Sequence, residues 1–168
     1  LATRRVELAD LEDEFEAMHD RGWTDGLPVV PPTEQRVLRM LTGTTRDPAE
    51  VVAVVPPDLV ECTVEKVAVN AVMAGCQTEH LPVLLAAAEI IAGTDYGVEH
   101  SGNTTGADAL MIVSGPSMSL LGFHSGQGAM REGVHANTSV GRWLRLYSRN
   151  VRGFTSDEHD KATFGNPT

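Results

Sequence analysis

Apolar and polar positions along this chain recur with periods that change every ten to twenty residues, and the changes mark its elements. Leu8, Leu11, Phe15 and Met18 fall at helical spacing among Glu7, Asp10, Glu12, Asp13, Glu14 and Glu16, which predicts an amphipathic helix ended by Gly22. Its acidic face is either solvated or open to a basic partner. Residues 22–33, GWTDGLPVVPPT, contain Pro28, Pro31 and Pro32 and read as an extended, turn-containing path over Trp23. Thr33 then caps a short helix through Val37, Leu38 and Leu41, closed by Gly43, and Asp47-Pro48-Ala49-Glu50 supplies the signals for a further helical turn.

The β-branched run 51–55, stopped by Pro56 and Pro57, predicts a short buried strand. From Thr63 the period becomes helical, with Gly75 as a stop, Thr78 as the next cap and Pro82 in the following first turn. Residues 79–92 are nearly all apolar, so 63–92 reads as a buried helical hairpin. After a polar loop at 93–108, ALMIV at 109–113 predicts a second strand that breaks at Ser114-Gly115-Pro116. A last helix is expected from Thr138, with Val140, Trp143, Leu144 and Tyr147 on one side and Arg142, Arg145, Arg149 and Arg152 on another. Beyond Gly153 the periodicity is lost, and 154–168 reads as an extended or partner-ordered tail. The expected fold is one α/β or α+β domain over 1–153, its hairpin and C-terminal helix packed on a small mixed sheet of 51–55 and 109–113.

Composition narrows what this domain can do. The chain has 168 residues, 42% hydrophobic and 21% charged, with no apolar run near the ~20 residues that span a bilayer. A net charge of −10 argues against general nucleic-acid binding and requires an anionic ligand to be caught locally. Cys62 and Cys76 cannot make a disulfide framework, and no secretory signal pattern opens the chain, so the cytoplasm is the expected compartment.

Candidate chemistry gathers in 121–153, LGFHSGQGAMREGVHANTSVGRWLRLYSRNVRG. A helix starting after Asn137-Thr138-Ser139 aims unpaired amides at the preceding loop, where Gly126 and Gly128 allow close approach, and Arg131 or Arg142 offers a fork of donors to a carboxylate or phosphate. The same features also describe a capped helix after an ordinary surface loop, its arginines paired with acids. Gly126-x-Gly128 is not a dinucleotide fingerprint, and no Walker motif occurs. His124 and His135 are candidate acid/base groups because their unperturbed pKa lies near working pH. With His80 or His100 they could instead bind a metal, although no pair has helical zinc spacing. Cys76, between the end of one helix and the cap of the next, reads either as a thiol activated by the dipole with His80 as base, or as inert packing. Lys66 and Asn70 share the less apolar face of the first hairpin helix, and a buried Lys66 would need a partner such as Glu65, Glu79 or a bound anion. Ser114, at the end of the second strand, completes the candidate set.

The segments GWTDGLPVVPPT, TVEKVAVNAVMAGCQTEHLPVLLAA and IVSGPSMSLLGFHSGQGAMREGVHANTSVGRWLRL together resemble a bacterial family associated with UGSC-type (seleno)proteins. The resemblance implies Asn where Ser114 stands, and it implies a U/C-Gly-Ser-Cys redox motif, which is absent here. It also implies chain beyond Gly165-Asn166-Pro167, so this polypeptide is expected to work as one subunit of a split system, in a homo- or hetero-oligomer. The functional expectation is an enzyme or enzyme subunit for a small anionic substrate. Loop 122–142 would hold the anion, with Lys66, Asn70 and Cys76 on the opposite wall. The alternatives are a non-catalytic assembly subunit, with its arginine stripe and tail docked on another protein, and a metal-dependent lyase or hydrolase. No cofactor is named by any motif.

Overall fold

The computed structural model describes residues 1–9, 12–56, 58–96 and 109–155. They form a mixed α+β domain of six α-helices and one two-stranded antiparallel sheet: α1 (Glu14–Asp20), α2 (Glu34–Leu41), β1 (Val51–Val55), β2 (Val60–Thr63), α3 (Val64–Ala74), α4 (Leu81–Ala92), α5 (Ser117–Leu120) and α6 (His135–Asn150).

α3 is the central element. Thr63 caps it by accepting from the Lys66 amide, and left-handed Gly75 (φ 80°) ends it. Gly75 N–H bonds the Val72 carbonyl and Cys76 N–H the Ala71 carbonyl, which satisfies carbonyls the helix would otherwise strand. Val64, Val67, Ala68 and Ala71 are wholly buried because α2, α4 and α6 all pack against this helix. The small side chains of Ala68 and Ala71 favour close packing, and on α6 Trp143, Leu146 and Tyr147 are fully buried. Trp143 can be buried because its indole N–H donates to the Val67 carbonyl at 3.3 Å, and its ring stacks on Tyr147 at 4.8 Å. Each such side chain contributes roughly 1.5–3 kcal/mol through removal from water.

Several boundaries differ from the sequence expectation. α1 begins only after Asp13, whose carboxylate accepts from the Phe15 and Glu16 amides; Ala17 faces inward while Phe15 lies exposed. Residues 47–50 make a turn and no helix, with the Asp47 side chain accepting from Ala49 N. The hairpin at 63–92 is present, but α4 starts at Leu81 after a 3-10 turn over Thr78–His80.

The sheet is a correction. β1 pairs with β2, a strand the sequence reading missed, and the 109–113 segment joins no sheet among the described residues. Val60 and Cys62 alternate with Glu61 and Thr63 after a proline-led turn, and this was the available signal for a hairpin. The 109–113 segment has alternating exposure but no ladder, so its apolar, partly β-branched composition is not matched by pairing among the described residues. His100 and the tail over 156–168 lie outside the described residues.

Candidate functional site

An open cleft of about 300 Å³ lies where the end of α3 meets the start of α6, lined by Ala74, Gly75, Gly133, His135, Thr138, Ser139 and Arg142. α6 begins at His135, earlier than Thr138, so Thr138 and Ser139 project from its first turns and do not precede it. Its N-cap is Val134, which has no side-chain oxygen, and its first turn has no acidic residue. α1, α2 and α3 are capped by Asp13, Thr33 and Thr63. The positive end of the longest helix in the described residues therefore has no side-chain cap among those residues.

Ser139 is 4% exposed, yet among the described residues its hydroxyl has no hydrogen-bond partner. Leaving a buried hydroxyl unpaired costs roughly 1–3 kcal/mol. Arg142, in the same wall, is largely committed within the fold. It holds Asp25 through Nη2 and Nε at 2.8 and 3.0 Å, and Nη2 also donates to the Leu27 and Pro28 carbonyls. The expected free fork is thus spent on the 22–28 segment, and among the described residues Nη1 is the guanidinium nitrogen without a hydrogen bond. Burial raises the Asp25 carboxyl, and Arg142 outweighs it, leaving the group below the usual carboxylate range.

The histidines divide. His135 approaches the Gly75 carbonyl with Nε2 at 2.7 Å, and since a carbonyl only accepts, Nε2 carries the proton. This bond ties the start of α6 to the end of α3 and, among the described residues, leaves Nδ1 of a cleft-lining residue without a partner. His124 is different: its Nε2 donates to Gln127 O at 2.9 Å, and its backbone is latched to Asn137, whose amide accepts from His124 N and donates to the carbonyls of His124 and Ala129. His124 and Asn137 close the glycine loop and do not line the cleft. His80 is wholly buried, its Nδ1 accepting from Gln77 N and its Nε2 donating to Leu121 O, so both nitrogens are engaged in a neutral ring. It cannot serve as a base for Cys76 while those bonds stand.

Cys76 corrects the activated-thiol expectation. It is buried, its thiol donates to the Ser139 carbonyl at 3.3 Å, and burial pushes its pKa up to about 12. Desolvation of a thiolate outweighs any helix dipole, and the 3-10 turn over Thr78–His80 stands between Cys76 and α4. Lys66 and Asn70 are not an opposite wall either. Lys66 is only partly buried and its Nζ, at an exposed position, donates to the Glu61 carbonyl at 2.6 Å, so the ammonium stays hydrated and needs no carboxylate or bound anion. Asn70 donates to Lys66 O and accepts from Asn150, which also holds the Trp23 carbonyl. Ser114, Gly126, Gly128 and Arg131 are exposed and outside the cleft; Arg131 lies 3.9 Å from Glu132.

Of the expected set, His135, Thr138 and Arg142 come together, and Ser139, Gly133 and Gly75 join them. Asn137-Thr138-Ser139 carries capping signals, but the helix starts at His135, so Thr138 and Ser139 lie on its cleft face while Asn137 latches the glycine loop. Among the described residues no three His, Cys, Asp or Glu side chains converge to hold a metal, and no helix is long and apolar enough to cross a membrane. Comparison with protein-family models, with curated proteins and with solved structures returns no match to this chain.

Proposed function

We propose that the cleft between α3 and α6 binds a small anion, a carboxylate or phosphate group, and that the protein acts as an enzyme or enzyme subunit on a substrate bearing it. The observation that carries this reading is the buried, unpartnered Ser139 hydroxyl on the wall of a cleft at an uncapped helix start. An anion there would receive the amides of α6, the hydroxyls of Thr138 and Ser139, and Arg142 Nη1. Opposite it, the carbonyls of Ala71, Val72 and Gly75 already accept from Cys76 N–H, Gly75 N–H and His135, so they repel it less. Proton transfer would fall to His135 through Nδ1, since Cys76 is buried as a thiol.

Titration with inorganic phosphate and with a small dicarboxylate, followed by amide NMR, tests the site. Saturable shifts at residues 135–139 are expected, weakened about tenfold in Ser139→Ala for the loss of one hydrogen bond of roughly 1.4 kcal/mol. Shifts without saturation, or equal affinity in the variant, would overturn the assignment. A second reading, an assembly subunit, is favoured by the exposure of Leu110, Ile112, Leu120 and Met130. Its arginine stripe needs revision, because Arg142 and Arg149 face the 22–28 segment of their own chain.

A further inference from the structure

We infer that residues 110–114 are the pairing edge of a homodimer, in which the same segment of a second copy adds to it as an antiparallel strand. This inference is independent of the anion cleft. The segment belongs to no helix, turn or ladder, its residues alternate between partly buried and exposed, and among the described residues its backbone makes no hydrogen bond. Met111 packs against the core while Leu110 and Ile112 on the alternate side are 67% and 81% exposed. It has the composition and alternation of a strand without the strand's partner.

Charge and composition select the occupant. Single strand edges are ordinarily blunted by charges. Here no Asp, Glu, Lys or Arg occurs between Asp108 and Arg131. In a chain of net charge −10 two copies repel over most of their surface, and an uncharged stretch is where they can meet. The chain's own 97–108 and 156–168 segments are polar and carry one large apolar residue each, Val98 and Phe164, too few to match Leu110 and Ile112. An antiparallel pair suits a twofold axis, because each edge presents the same alternating donors and acceptors to its mate.

Light scattering on the eluting protein tests this with wild type, Ile112→Lys and, as a charge control on another exposed apolar residue, Leu59→Lys. Wild type and Leu59→Lys should elute with the mass of two chains and Ile112→Lys with the mass of one, at unchanged far-UV circular dichroism. Amide exchange at 110–114 should slow with rising protein concentration in wild type alone, a readout that does not depend on the variant folding. A wild-type mass of one chain, a dimer that survives Ile112→Lys, or exchange at 110–114 independent of concentration would overturn the inference.

Discussion

Arg142 and Asp25, 117 residues apart, form a two-point ion pair in which Nη2 lies 2.8 Å from Oδ1 and Nε 3.0 Å from Oδ2, with the Asp25 side chain only 5% exposed. Together with Arg149 on the Gly22 carbonyl at 2.7 Å and Asn150 on that of Trp23 at 3.1 Å, it fastens the GWTDGLP segment to one side of α6. Val30 N then reaches the Met73 carbonyl of α3, so the segment bridges the two helices that make the cleft.

Asp25→Asn should therefore destabilise the fold by roughly 1.5–3 kcal/mol, the range for hydrogen bonds to a charged group. Arg142→Ala, which strands the carboxylate, should cost at least as much. Urea unfolding midpoints measure both. A midpoint unchanged in Asp25→Asn would mean that the pair contributes nothing.

Stability should fall in acid. Asp25 and Glu65 are both held below their ordinary values: burial raises each, and it is outweighed by Arg142 for Asp25 and by Thr3 and the amides of Ala2 and Thr3 for Glu65. A lowered folded pKa contributes stability that is fully present above the unfolded value of about 4 and is lost as pH falls through the lower folded one. Melting temperature recorded from neutral pH downward should drop below about pH 4, with a shallower drop in Asp25→Asn. Parallel curves for the two proteins would remove Asp25 from the account.

Cys76 and Cys62 are both free and buried. With its pKa at about 12, Cys76 should resist a thiol-directed reagent in the native state at neutral pH and react promptly in denaturant. Labelling of the native protein at the rate of an exposed thiol, located to Cys76 by mass spectrometry, would contradict the burial.

The cleft was only half legible beforehand. Gly75 and the polar start of the last helix were readable as a stop and a start, but nothing local says that these two ends meet. Their meeting depends on α6 packing against α3, with Trp143 Nε1 on the Val67 carbonyl, a long-range event. For the same reason Lys66, Asn70 and Arg142 looked available: their partners, Glu61 O, Asn150 and Asp25, come from turns or elements that sequence spacing does not bring together.

Local chemistry was sufficient for the class of the domain, for strand 51–55, for the hairpin, for the cap at Thr33 and for the helical start after Thr63, because each rests on neighbours within a turn or two; the cap expected at Thr78 is instead part of the 3-10 turn before α4. Tertiary structure alone decided which polar groups are spent and which are left over. Cys76 loses reactivity to burial, Arg142 is consumed by Asp25, and the Ser139 hydroxyl is left without a partner, since desolvation and pairing are properties of the assembled interior. Likewise, 109–113 has the composition of a strand, but a strand exists only when another backbone lies beside it.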